Sequence, residues 1–225
     1  MDVPSWIKHN KTIFNCSNSI FQLQFFQDVG NFDLESVKDN IGEFHILKLF
    51  TRNSDAYNQR IMKTFPAVLH LSLETETYDN GKPPGAVLIQ NLSRFFIGKH
   101  SENRTTMQLD DILMMSSKIV QIYFSQFTEK DANRFLKLWM RGKSKLIYLF
   151  LCFANEMNVD KNIVLKGIKF KEIPIEEKKF FPGVINPIEG GIDVVRKDGT
   201  NGTIRFGNGH MDFFVWNDYC KMVKT

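Results

Sequence analysis

Ile20-Phe21-Gln22-Leu23-Gln24-Phe25-Phe26 and, 24 residues on, Phe44-His45-Ile46-Leu47-Lys48-Leu49-Phe50 are two versions of one pattern. In both, apolar residues recur at alternate positions, which in an extended chain fall on one face. Leu23, Leu47, Leu71, Phe95, Ile122 and Leu149 continue it at intervals of 24, 24, 24, 27 and 27 residues, and Phe25, Leu49, Leu73, Ile97, Phe124 and Leu151 keep the same spacing. A period of this length marks a repeat architecture, in which each unit buries its apolar face against its neighbours.

Between these strands the apolar period is helical. Val3, Trp6, Ile7, Ile13 and Phe14 share one helix face, and Asp33 can cap a short helix that turns Leu34, Val37 and Ile41 inward and ends at Gly42. A helix is expected over 55–65, where Pro66 stops it, before a strand at 68–73. Asp79-Asn80-Gly81 and Pro83-Pro84-Gly85 predict an exposed turn ahead of a strand within 92–97. Leu109, Ile112 and Leu113 mark a helix before strand five at 119–124. Thr128-Glu129-Lys130-Asp131 is a capping box opening the strongest helix, whose apolar face is Ala132, Phe135, Leu138 and Trp139 and whose end is Arg141-Gly142-Lys143. Strand six at 146–153 and a short helix at 160–166 follow.

Beyond Ile168 prolines and glycines break the pattern. Segments 192–196 and 203–206 flank Lys197-Asp198-Gly199-Thr200, a hairpin signal because such turns need positive φ, and 212–216 can complete a meander. The expected fold class is α/β: a leucine-rich-repeat-like solenoid of strand-helix units over 1–170, with a small C-terminal β hairpin or meander over 171–225 packed on it as a cap, in one continuous unit. The asparagine that leucine-rich repeats carry three residues after the second apolar strand position is replaced by Asp28, Arg52 and Glu76.

The 29 basic and 25 acidic side chains leave +4, too mild and dispersed to call for a polyanionic partner. Phenylalanine dominates the aromatics, 21 against 5 Tyr and 3 Trp, and without a polar handle this material belongs in a core. Three cysteines in no pairing pattern fit a reducing, intracellular setting, cytoplasmic or nuclear. The N-terminal residues lack the basic and apolar regions of a secretory signal. The longest apolar stretch, 146–154, is about half of the ~20 residues that span a bilayer, so no membrane partner is expected.

If the periodic positions face inward, Gln22, Gln24, Ile46, Lys48, His70, Ser72, Arg94, Phe96, Gln121, Tyr123, Tyr148 and Phe150 face outward on a concave surface. That surface is the candidate partner-binding site, since Phe96, Tyr123, Tyr148 and Phe150 with Arg94 are the residue types that anchor protein interfaces. The competing reading is that the C-terminal segment covers the late strands and makes these aromatics core. Strand two has two possible registers, because Phe44 and Ile46 compete with Leu47 and Leu49. Lys137, Arg141, Lys143 and Lys145 could meet phosphates while Trp139 stacks on a base, although a helix end explains the same charges. Histidines 9, 45, 70, 100 and 210 show no metal-ligand spacing. The paired carboxylates Asp110-Asp111 and Glu176-Glu177 sit in solvated turns or helix starts with nothing to raise a pKa. With no phosphate-cradling loop or serine elbow, no enzymatic activity, cofactor or metal is expected.

Asn91-Leu92, the run Ala132-Asn133-Arg134-Phe135-Leu136-Lys137-Leu138-Trp139 ending at Gly142, Val164-Leu165-Lys166-Gly167-Ile168, Gly190-Gly191-Ile192-Asp193, Arg196-Lys197-Asp198-Gly199-Thr200 and Phe214-Val215-Trp216 together resemble the F-box-associated domain expanded in nematodes. Trp6-Ile7-Lys8-His9 with Ile13-Phe14 looks like the start of the same region. The resemblance implies a substrate receptor of an SCF-type ubiquitin ligase. In that family an F-box precedes this region, and here the sequence opens where the associated region would begin, so the chain is expected to act without its own adaptor-docking motif. The expected function is a monomeric protein-interaction module resembling the target-recognition region of F-box proteins, with an unidentified target protein. The alternative is a stand-alone nucleic-acid-binding repeat protein.

Overall fold

The computed structural model describes residues 5, 9, 19–26, 33–41, 43–50, 54–66, 69–74, 77–99, 104–123, 125–142, 144–153, 159–182, 184 and 186–216. Six parallel strands come first: β1 (Ser19–Phe26), β2 (Glu43–Phe50), β3 (His70–Leu73), β4 (Arg94–Ile97), β5 (Ile119–Ile122) and β6 (Tyr148–Cys152). Each pairs with the next in chain order. Parallel neighbours require a crossover, and helices supply it: α1 (Leu34–Ile41), α2 (Asp55–Thr64), α3 (Gly85–Leu88), α4 (Leu109–Met114) and α5 (Glu129–Arg141), with α6 (Lys161–Val164) after β6.

Local chemistry sets where the helices begin. The Ser54 hydroxyl accepts the Tyr57 N–H at 3.4 Å ahead of α2. At α5 the Thr128 hydroxyl accepts from the Asp131 N–H at 3.3 Å while the Asp131 carboxylate accepts from the Thr128 N–H at 3.1 Å, so two otherwise orphaned donors are satisfied. Asp111 receives the Gln108 N–H at 2.7 Å in the same way before α4.

The core lies between the helices and one face of the sheet. Leu47, Leu71, Phe95, Val120 and Leu149 form one cross-strand row, Leu49, Leu73, Ile97, Ile122 and Leu151 the next, and none of the ten is more than 1 % exposed. Leu34, Val37, Ile41, Ile61, Leu88, Ile112, Ala132, Phe135, Leu136 and Trp139 from the helices join the same cluster. Burying each such side chain contributes about 1.5–3 kcal/mol, which is what holds short crossover helices to the sheet.

Several expectations are corrected. At strand five Val120, not Ile122, pairs with Phe95 and Leu149, so the last intervals are 25 and 29 residues. Both residues point to the same face, so alternation alone cannot separate registers two residues apart. Strand two has the Leu47 and Leu49 register, with Ile46 outward, although Phe44 also reaches the core beside Phe65 at 6.2 Å. Leu113 and Leu138 are 44 % and 43 % exposed, and on α5 Leu136 takes the buried place. The turn at 79–85 is pinned rather than free: Tyr78 and Pro83 are buried, the Asp79 N–H donates to Asp55 at 2.8 Å, and the Thr105 hydroxyl donates to the Gly81 carbonyl at 2.8 Å. Burial, followed by the nearby Asp55 charge, pushes the Tyr78 phenol up to about 12.

The C-terminal part is larger than expected. It has four antiparallel strands, β7 (Phe170–Lys179), β8 (Ile188–Val195), β9 (Asn201–Gly207) and β10 (His210–Trp216), and β10 pairs with β6. The result is one ten-stranded sheet in the order β1-β2-β3-β4-β5-β6-β10-β9-β8-β7, so the C-terminal strands extend the sheet in its own plane. The hairpin read from Asp198-Gly199 is present, with Gly199 at φ 89°. β7 escapes the sequence pattern because it is an edge strand: mostly exposed, charged and interrupted by Pro174, features that discourage pairing with another chain. At the junction a Cβ on Gly202 would lie 2.6 Å from the Phe213 ring, so only glycine lets β9 and β10 bring Phe213 against the ring of Trp139 at 4.8 Å.

Of the expected N-terminal helix only Ser5 and His9 are described, and both are helical. Gly42, Val68, Phe124, Lys143, His100 and the ladder positions Asp28, Arg52 and Glu76 lie outside the described residues. No helix among the described residues is long and apolar enough to cross a membrane.

Leu149 stands where the parallel and antiparallel parts meet, between Val120 and Phe213. Leu149→Ala is expected to destabilise the protein by about 2–5 kcal/mol in urea unfolding, whereas Leu113→Ala, on an exposed position, changes stability by no more than about 0.5 kcal/mol.

Candidate functional site

The ladder that buries these two rows sets out the opposite face. Gln22, Ile46, His70, Arg94, Ile119 and Tyr148 lie side by side in one row, and Gln24, Lys48, Ser72, Phe96, Gln121 and Phe150 in the next. Tyr123 follows β5, with its N–H on the Ile97 carbonyl at 3.0 Å and its ring 4.7 Å from that of Phe150. Eleven of the twelve residues read as outward from sequence, Gln22, Gln24, Lys48, His70, Ser72, Arg94, Phe96, Gln121, Tyr123, Tyr148 and Phe150, therefore share one face with the twelfth, Ile46. All are half-buried except Ser72, which is 6 % exposed. The two-residue slip at strand five leaves this face intact, since it preserves parity.

Helices α1–α6 pack into the core on the other face, and among the described residues cover from the C-terminal segment is local. Phe181 lies 6.0 Å from Tyr148, 5.1 Å from Phe214 and 5.7 Å from Trp216. On β7–β10 the face is closed by its own polar cluster. Lys179 binds Asp193 at 2.8 Å and Thr203 at 3.2 Å, the Trp216 indole N–H donates to Thr203 at 2.7 Å, and the Lys179 ammonium sits 5.4 Å from the Trp216 ring centroid. Among the described residues the open part thus runs from β1 to β6 and ends at β10.

Sequence reasoning missed the residues that border it. Ile119, not Gln121 or Tyr123, stands beside Arg94 and Tyr148. Asp212 pairs with Phe150, and its carboxylate accepts the Tyr148 hydroxyl at 2.6 Å. His210 stands 3.7 Å from Asp212 and 5.1 Å from the Phe150 ring. The signal was there in the alternation of His210, Asp212, Phe214 and Trp216 with Met211, Phe213 and Val215.

Burial, then the Asp212 charge, raises the Tyr148 phenol far above its ordinary value, and burial with the Cys152 and Asp212 charges raises Tyr123, so both remain donors at neutral pH. His70 is held below its usual value by burial, by Arg94 and by His45. No carboxylate lies within ion-pair distance of Lys48 or Arg94 among the described residues.

Other candidates resolve differently. Trp139 is 3 % exposed, with Phe213 against its ring and the Arg196 guanidinium 5.2 Å from its centroid, so it offers no platform for a base. Asp111 is not solvated: it is 6 % exposed and paired with Lys82 at 3.1 Å. Glu176 and Glu177 lie in the exposed strand β7 rather than in a turn or helix start. A cleft of about 400 Å³ between α4 and α5 is lined by Leu113, Met114, Leu138 and Trp139. Among the described residues no three His, Cys, Asp or Glu side chains converge as a metal site requires.

An F-box associated family model matches residues 84–149. The matched segment runs from α3 through β4, α4, β5 and α5 into β6, and it holds Arg94, Phe96, Gln121, Tyr123 and Tyr148 of the open face. Asn91-Leu92 and the run from Ala132 to Gly142 fall within it, whereas the motifs from Val164 onward fall outside. No curated protein and no solved structure matches the chain.

The lowered His70 pKa has a signed consequence. Below the ordinary histidine value of 6.5 the unfolded chain takes up a proton before the folded one, so stability is lost as pH falls from there through the folded pKa. His70→Gln is expected to lose less stability than the wild type between pH 7 and pH 5 in urea unfolding. Equal losses would mean that Arg94 and burial do not act on His70.

Proposed function

We propose that the chain is a protein-interaction module, not an enzyme, that lays a segment of a target protein across the open face of β1–β6. The single observation that carries this reading is the pair of in-register rows holding Arg94, Phe96, Gln121 and Phe150 half-buried, with Tyr123 against Phe150 just past β5, on a face that no described helix covers. Aromatic and arginine side chains fixed on a sheet meet a partner at little further cost in side-chain entropy, which is how interface anchors work. We read the parallel half as a leucine-rich-repeat-like solenoid, its strand-helix units following at 24, 24, 24, 25 and 29 residues. The F-box associated match supports a role in target recognition for a ubiquitin ligase of the SCF type. The nucleic-acid reading is not favoured, because its stacking residue Trp139 is a core residue.

The test is affinity capture from cell extract on immobilised protein, comparing wild type with Phe96→Ala and Tyr123→Ala. Each substitution at an anchor is expected to weaken capture of a specific partner about thirtyfold, equivalent to ~2 kcal/mol, with circular dichroism unchanged. Undiminished capture by both variants would overturn the assignment of the face. Recovery of the ligase adaptor and cullin with wild type would support the ligase role, and a partner set lacking both would leave the chain a binding module outside that ligase.

A further inference from the structure

Building on the open face as the docking surface, we infer that Lys48, His70, Ser72 and Arg94 form an anion subsite on it, and that the occupant is an extended protein segment carrying an aspartate or glutamate three or four residues from an apolar side chain. The four residues come from three adjacent strands: Lys48 of β2 is in register with Ser72 of β3, and His70 of β3 with Arg94 of β4. Ser72 is 6 % exposed and forms the floor, while the other three are half-buried around it. Positive charges gathered on neighbouring strands repel, and a fold that answers such repulsion internally does so with a carboxylate.

Among the described residues no carboxylate is ion-paired with either Lys48 or Arg94. The described residues of β1–β6 put no carboxylate on the open rows. Glu74, one residue past β3, is buried in the turn, where its N–H bonds the Leu49 carbonyl and the Thr77 hydroxyl. Asp212, at the far border, already takes the Tyr148 hydroxyl. The face is therefore polarised, with cations and donors on β2–β4, aromatic rings on β4–β6 and a carboxylate on β10.

That order reads a ligand. Strands lie about 4.8 Å apart, so from His70 on β3 to the rings on β5 and β6 is roughly 10–14 Å, which an extended chain covers in three or four residues. A carboxylate seated beside Arg94 and Lys48 makes charge-assisted hydrogen bonds and reverses the field that, with His45 and burial, holds His70 low. The apolar side chain then meets Phe96, Tyr123 and Phe150.

Selection of random dodecapeptides displayed on phage against the full chain tests this. The selected pool is expected to be enriched in Asp and Glu placed three or four residues from Phe, Trp, Leu or Met, and a Lys48→Glu, Arg94→Glu protein is expected to select Lys and Arg instead. The best peptide should bind five- to tenfold more weakly to Arg94→Gln and to Lys48→Ser, and should move the His70 ring titration upward in the wild type. Both cations are half-buried and without an ion-pair partner among the described residues, so thermal midpoints of the variants should stay within a few degrees. A pool that loses binding with Phe96→Ala but shows no acidic enrichment overturns the subsite and leaves the open-face reading standing. A pool insensitive to both sets of changes, or an empty one, overturns both. Displacement of the peptides by a twelve-nucleotide uridine oligomer at lower concentration also overturns the inference, in favour of a polyanion.

Discussion

Each strand of the parallel half must pass two inward side chains to the next at the same height, and the rest of the molecule depends on that constraint. Leu47, Leu71, Phe95, Val120 and Leu149 meet it in one row and Leu49, Leu73, Ile97, Ile122 and Leu151 in the other. Sequential parallel strands with right-handed crossovers place every connecting helix on the same side. The side that receives the helices becomes core, and along β1–β6 no described helix covers the other, whose side chains stay half-buried. The face proposed for docking is a consequence of the packing.

The C-terminal strands complete this arrangement. β10 pairs with β6 antiparallel and carries Met211, Phe213 and Val215 into the same core, where Phe213 meets Phe135 and Trp139 of α5 edge to face. Its other side brings Asp212 to Tyr148 and closes the open face at that end. Beyond it, the Lys179, Asp193, Thr203 and Trp216 cluster fills the remaining face, and the charged β7 guards the new edge. One element thus both extends the apolar core and bounds the face proposed for docking.

The 24-residue period was legible because four successive units repeat it without interruption, and together with the later apolar pairs it set the parity of the twelve face residues. The period fails at strand five because Val120 and Ile122 are both apolar and on one face, so the choice between them is made by the crossover lengths on either side of β5. β7 was hidden because an exposed edge strand has no buried face to write into its sequence. Asp212 was hidden because the expected C-terminal cap carried no register, and only the pairing of β10 with β6 sets Asp212 beside Phe150. The burial of Tyr78 and Asp111 was hidden because turn composition and charge report local preference, while their neighbours Asp55 and Lys82 arrive from distant segments.

The central claim is that one face of the six parallel strands is buried and the other is free. Single cysteines placed one at a time in a background freed of reactive native cysteines test it by their rate of reaction with a thiol reagent under native conditions. Gln24→Cys, Lys48→Cys, Phe96→Cys, Gln121→Cys and Phe150→Cys should react readily, and Phe25→Cys, Leu49→Cys, Ile97→Cys, Ile122→Cys and Leu151→Cys should be protected. Protection of both sets would show a second layer over the face, and reversed protection at any strand would show its register to be off by one residue; either result would contradict the account.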